Sequence, residues 1–297
     1  MAGHGSLGDG APTSPLPAGP YLGETPQYPG PGWREPPGAS GAPRARGRNR
    51  PRRRHRWLGR TVAVLLGLAL IGVLALTGLL LITPSVGDAQ ARTQQLDRQH
   101  HAAYPGPPVP DRFAASLVST EDHRFYSEPG IDPFAIARLI GGRLSGRPDQ
   151  GGATLYQQLA KMLYTPGRSG FTVEAEQVGL GIKLDLAYSK PQILQMYANV
   201  AYFGNSYYGL GAASCGYFGV APARLSWPQA AMLAGLVQAP TADDPITHLA
   251  AARARQAHVL GRLAATGMLS PAEAASAYRQ PLELVGGRPG TCAPSAR

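Results

Sequence analysis

Two short segments concentrate side chains able to do chemistry: Glu121-Asp122-His123-Arg124-Phe125-Tyr126 and, farther along, Gly151-Gly152-Ala153-Thr154-Leu155-Tyr156-Gln157-Gln158-Leu159-Ala160-Lys161. The first sets two adjacent carboxylates before an aromatic pair. Phe113, Leu117 and Glu121 fall at successive i, i+4 steps, so a helix there puts Glu121 on the face that wants burial. A carboxylate partly withdrawn from water suits general base or acid work. Asp122 points elsewhere and is available for hydrogen bonding. The plain alternative is a solvated helix end that happens to carry two acids.

In the second segment, Gly151 and Gly152 precede a helix start and would let a ligand approach exposed backbone donors, a natural place for phosphate. Gln157 or Gln158 stands three or four residues from Lys161, forming a polar stripe opposite Leu155, Leu159 and Met162. Alone, this is only a loop and an amphipathic helix. Together, the two segments suggest a site for anionic sugar chemistry.

The elements that must position these residues follow from an uneven composition. Residues 1–60 are crowded with Gly, Pro and Arg, and hold ten basic residues against Asp9, Glu24 and Glu35, which is +7 of the formal +10. Such a stretch lacks the apolar surface to offset the entropy of ordering and reads as a disordered arm. Residues 61–83 are uncharged and rich in Leu, Val, Ala, Ile and Gly, a length matching the ~30 Å hydrocarbon core of a bilayer. One transmembrane helix is expected; a signal peptide would be shorter and start earlier. Nine arginines from Arg44 to Arg60 abut its N-terminal end, whereas the first twenty residues after the span hold only Arg92 and Arg98. This asymmetry predicts a cytoplasmic N-terminus and contact with anionic headgroups rather than nucleic acid.

Residues 84–110, polar and then Pro-rich, read as a linker. Beyond them the punctuation is of the helix-start kind: Asp132-Pro133, and capping boxes at Ser189/Gln192, Ser226/Gln229 and Ser270/Glu273. Apolar residues recur at helical spacing, as in Ile193, Leu194 and Tyr197, and no run alternates with period two. A mainly α-helical domain over 111–282 is expected, with a frayed tail over 283–297. Cys215 and Cys292 have no zinc or redox spacing, so one buried and one loose thiol are expected; nothing in the sequence supports a disulfide.

With Tyr188-Ser189-Lys190-Pro191-Gln192-Ile193-Leu194-Gln195-Met196-Tyr197-Ala198-Asn199, Tyr202-Phe203-Gly204 and Tyr207-Tyr208-Gly209 added, the chain resembles the peptidoglycan glycosyltransferases. These are the lysozyme-like domains of penicillin-binding proteins and of monofunctional transglycosylases. The resemblance covers about Asp111 to Leu269. It implies a lysozyme-like helical fold against the outer membrane leaflet and polymerisation of lipid-linked disaccharide-pentapeptide into glycan strands. It assigns Glu121 as general base, and Asp122, Phe125, Gly152, Thr154, Gln157, Gln158 and Lys161 to substrate binding. It also implies a divalent metal, Mg or Mn, with the diphosphate, and partner proteins of cell-wall synthesis. A chain with no room for a transpeptidase after Leu282 is expected to be monofunctional.

The match breaks at the family's third motif, R-x-x-x-R-K-x-K-E. Counted from Lys161, its positions fall on Ser169, Val173, Glu174, Glu176 and Gln177. Milder departures are Glu128, Ala153, Tyr156, Met162 and Asp185. Acids in place of cations beside a diphosphate remove charge-assisted contacts worth ~1.5 to 3 kcal/mol each. Arg168, Glu176 or Lys183 are the residues able to compensate. Two rivals therefore stand beside the enzyme: a precursor-binding scaffold without turnover, and a lysozyme-like hydrolase using Glu121 as acid.

Overall fold

The structure is a computed structural model that describes residues 52–128, 153–285 and 292, with side chains from Trp57 onward. Asp132, Gly151 and Gly152 lie outside the described residues. Described helices are α1 (Arg52–Ile82), α2 (Ala89–Gln99), α3 (Asp111–Glu121), α4 (Leu155–Tyr164), α5 (Phe171–Ala187), α6 (Lys190–Val200), α7 (Leu210–Phe218), α8 (Trp227–Leu236), α9 (Leu249–Ala265) and α10 (Pro271–Arg279). Among the described residues there is no strand, only an isolated bridge between Tyr202 and Tyr208. The fold is mainly α, as the spacing of apolar residues predicts.

Helices α6, α8 and α10 begin where the serine boxes place them. The backbone N–H groups of Ser189, Ser226 and Ser270 donate to Gln192, Gln229 and Glu273 at 2.9, 3.0 and 2.7 Å. Each box satisfies donors that a helix start leaves without partners. Helix α8 is buried along its whole length after Trp227, as befits a helix apolar all round. It packs between α3 and α9, while α4 packs on α5 and α6. Its small residues, Ala230, Ala231, Ala234 and Gly235, let those neighbours come close.

Two stretches differ from expectation. Residues 84–110 contain α2, whose Ala89, Thr93 and Asp97 are buried. Asn199 Nδ2 on α6 donates to Asp97 Oδ2 at 3.2 Å. The segment is part of the domain's packing; its polar composition conceals this because the buried row is made of small and polar residues. The tail is also pinned, since Val285 N–H donates to Tyr217 O at 2.9 Å and Cys292 forms a disulfide with Cys215. The expectation of two separate thiols fails because the fold brings together residues 77 apart in sequence.

In α1, the stretch Trp57–Ile82 is long and apolar enough to cross a membrane, and none of its apolar window is covered by protein. Twenty-six residues at helical rise span about 39 Å, longer than the ~30 Å hydrocarbon core of a bilayer.

Candidate active site

Phe113 and Leu117 are fully buried on α3, which fixes the direction of Glu121, the last residue of that helix. Its side chain is 13% exposed. Oε2 accepts from Gln158 Nε2 at 3.1 Å and Oε1 from an Arg255 guanidinium nitrogen at 3.3 Å. An acid at a helix C-terminus meets the negative end of the helix dipole, so the guanidinium offsets an unfavourable position. A carboxylate has about four lone-pair sites, and these two bonds leave capacity for a substrate hydroxyl.

Each partner is itself held. Tyr197 Oη donates to Gln158 Oε1 at 2.8 Å, which turns the Gln158 amide so that its nitrogen faces Glu121. Tyr197 is buried, and burial followed by the Glu121 charge pushes its phenol well above the ordinary value, so it stays a donor. Arg255 Nε donates to Gly235 O at 3.3 Å. A Cβ on Gly235 would lie 2.9 Å from Arg255 Cγ, so the missing side chain is what lets the arginine stem cross α8. Asp122 Oδ2 accepts the Leu155 N–H at 3.0 Å, binding the first turn of α4 to the end of α3 and complementing the helix dipole.

Glu121, Gln158, Lys161, Arg255, His258 and Tyr208 share one cleft of about 900 Å³. Burial, then the charges of Arg255 and Arg262, holds the His258 imidazole below its ordinary value, with Glu121 opposing. At the far side Tyr208 stacks on His100 with ring centroids 3.5 Å apart. The cleft thus joins an acid, cations, amide donors and an aromatic wall, a set able to hold a phosphorylated sugar and accept a proton from one of its hydroxyls.

The residues expected to form the site divide. Asp122, Thr154, Gln158 and Lys161 line the cleft with Glu121. Gln157 instead completes the α4 capping box, its Oε1 accepting Thr154 N–H at 3.1 Å. Phe125 is buried against Tyr156 and Tyr126, under Lys190, and serves the core. Of the compensating candidates none lines the cleft. Arg168 pairs with Glu176 at 2.8 Å, and Gln177 Nε2 donates to Thr165 Oγ1 at 2.8 Å. Lys183 Nζ donates to Thr83 O and Pro84 O at 2.6 and 3.0 Å.

Among the described residues the cations of the cleft are Lys161, Arg124 and Arg255, from α4, the turn after α3, and α9. Arg255 and His258 escaped the sequence reading, although Arg255, His258 and Arg262 form a basic row at i, i+3, i+7. Tyr197 was legible only as a core residue. Among the described residues no three of His, Cys, Asp and Glu gather to hold a metal. The two cleft carboxylates, Glu121 and Asp122, each have protein partners.

The Transglycosylase family model matches residues 88–264. A Cupriavidus necator protein named a transglycosylase is 34% identical over 176 residues, covering 59% of this chain and 76% of its own. Penicillin-binding protein 1C of Escherichia coli is 38% identical over 59% of this chain and 23% of its own length, and penicillin-binding protein 1F of Bacillus subtilis 34% over 59% and 25%. The match thus spans about a quarter of these two longer relatives. The family's span starts at Asp88, just ahead of α2, and ends inside α9 beyond Arg255, so it takes in every element that supplies the cleft. This chain belongs to the peptidoglycan transglycosylase family.

Proposed function

We propose that the chain is a membrane-anchored peptidoglycan glycosyltransferase with Glu121 as its general base. The observation that carries this reading is the geometry at Glu121: a largely buried carboxylate, oriented by Gln158 and Arg255, facing a cleft it shares with Lys161. The acceptor sugar's hydroxyl gives its proton to Glu121 as its oxygen bonds to the anomeric carbon of the growing chain. The bond from that carbon to the lipid-linked diphosphate breaks, and the pair of electrons leaves with the diphosphate. Lys161, Arg124 and Arg255 oppose the charge that develops there, and the Gln158 amide orients the base.

The apolar stretch Trp57–Ile82 would hold the cleft beside its lipid-linked substrate. The basic run before it supports a cytoplasmic N-terminus, and the Cys215–Cys292 disulfide suits an extracytoplasmic domain. Labelled lipid-linked disaccharide-pentapeptide, incubated with the detergent-solubilised full chain, should yield polymer, and Glu121→Gln should lower the yield by ~10²- to 10⁴-fold. No polymer from the wild type sinks the reading.

A second reading is favoured by one observation: the third-motif positions carry no cation into the cleft, and Arg168 is paired with Glu176. A chain that grips precursor without turnover, recruiting other cell-wall synthesis proteins, would bind the labelled precursor stoichiometrically in that experiment and release no product.

A further inference from the structure

The lysine of α5 is turned away from the cleft and onto the end of α1. Lys183 Nζ donates to Thr83 O at 2.6 Å and to Pro84 O at 3.0 Å. One turn earlier, Gly179 packs against the same place: a Cβ there would lie 3.0 Å from Thr83 Cγ2 and 3.1 Å from Leu79 Cγ. At the other end of α5, Tyr188 Oη donates to Val86 O at 2.9 Å. Three backbone carbonyls within four residues of one another are thus taken by one helix and its C-cap. Helix ends leave carbonyls without intrahelical partners and carry partial negative charge, so an ammonium group is favoured there by hydrogen bonding and by the dipole. Thr83 and Val86 are buried, so this joint is packed as well as bonded.

We propose that Lys183, with Gly179 and Tyr188, is a positioning device that locks the membrane-spanning helix to the catalytic domain and so fixes the depth at which the cleft meets a lipid-linked diphosphate. This rests on the glycosyltransferase reading for its consequence, though the joint itself does not. A lipid-linked substrate is held at one depth by its tail, and a cleft on a loose tether would meet the reacting atoms in many wrong orientations. A displacement of about 1 Å can cost ~10²-fold in rate, so a stiff joint matters only while the substrate is also anchored.

The test uses the full chain in vesicles and in solution. Lys183→Met keeps the aliphatic stem and removes the donor; Gly179→Leu wedges the joint apart; Lys183→Arg restores a cation. Polymerisation of long-chain lipid-linked precursor in vesicles should fall about tenfold in the first two variants and recover in the third. With a water-soluble short-chain analogue all four proteins should agree within about twofold. Spin labels at Leu74 and Leu186, both exposed, should give a narrow distance distribution in the wild type and a broad one in Lys183→Met. Equal losses on both substrates, or an unchanged distribution in Lys183→Met, would overturn the proposal. If the wild type polymerises neither substrate the function fails, while the spin-label distances still decide the joint.

Discussion

Arg255 reaches the carboxylate of Glu121 at 3.3 Å across 134 residues of sequence, with side chains 19% and 13% exposed. The pair closes the cleft from α9 and holds the acid at the end of α3, where the helix dipole alone would disfavour it. A shielded ion pair contributes little net stability when intact, yet losing one partner leaves the other charge poorly solvated. The arginine's place is set in turn by the absence of a side chain at Gly235.

Arg255→Met should therefore lower glycan polymerisation by about 10²-fold, the effect typical of removing a donor placed on developing charge, and should lower the melting temperature. Gly235→Ala should act in the same direction without touching either charge, because its Cβ meets the arginine stem at 2.9 Å. Arg255→Lys keeps the charge but loses the planar fork that bonds Gly235 O and Glu121 together. Single-turnover rates and thermal melts on the three variants check this; a Gly235→Ala protein with full activity would separate Gly235 from the site.

Tyr197→Phe removes the hydroxyl that turns Gln158 toward Glu121 and leaves the ring in place. The Gln158 amide then loses its reference, at a cost of about 1 kcal/mol for one hydrogen bond. The turnover should fall about fivefold with substrate affinity little changed. A measured loss confined to affinity would mean that Gln158 serves binding and not the orientation of the base.

What the sequence disclosed and what it hid follow a physical division. Glu121 was legible because its direction is set locally, by Phe113 and Leu117 on the same helical face, and the serine boxes were legible because both halves lie within four residues. Arg255 was not, since its partner is named only by how α9 crosses α8. Helix α2 was concealed because its buried row, Ala89, Thr93 and Asp97, shows no apolar periodicity. Counting along the third motif located the missing cations but not the actual direction of Lys183, which depends on where α1 ends. The disulfide lay beyond spacing arguments, because only the packed α7 brings Cys215 to the tail.

Reduction of that disulfide, or Cys215→Ala, should lower stability by roughly 2 to 4 kcal/mol, the typical contribution of a disulfide. For a domain of this length that is about 5 to 15 °C in melting temperature. Val285 N–H remains bonded to Tyr217 O, so the fold should persist and the cleft keep its precursor affinity. Thermal melts with and without reductant, and precursor binding on the reduced protein, measure both halves; loss of binding on reduction would tie the tail to the cleft.

Asp97 gives the stability its pH dependence. The residue is 1% exposed on α2, and burial pushes it up to about 6 from 3.8, with the Asn199 hydrogen bond opposing. Because the folded value lies above the unfolded one, the folded chain holds an extra proton between those values. The contribution of Asp97 to stability is therefore greatest in acid, declines as pH rises through that window, and stays unfavourable above it. Asp97→Asn removes the charge and keeps an acceptor for Asn199 Nδ2, which Gln195 Nε2 already steadies by donating to Asn199 Oδ1 at 2.9 Å. The variant should be more stable than wild type by on the order of 3 kcal/mol at pH 7.5, with the advantage shrinking steadily toward pH 4.5. Urea melts at the two pH values decide it: an equal advantage at both would mean that Asp97 is not titrating in this window and that packing alone separates the two proteins.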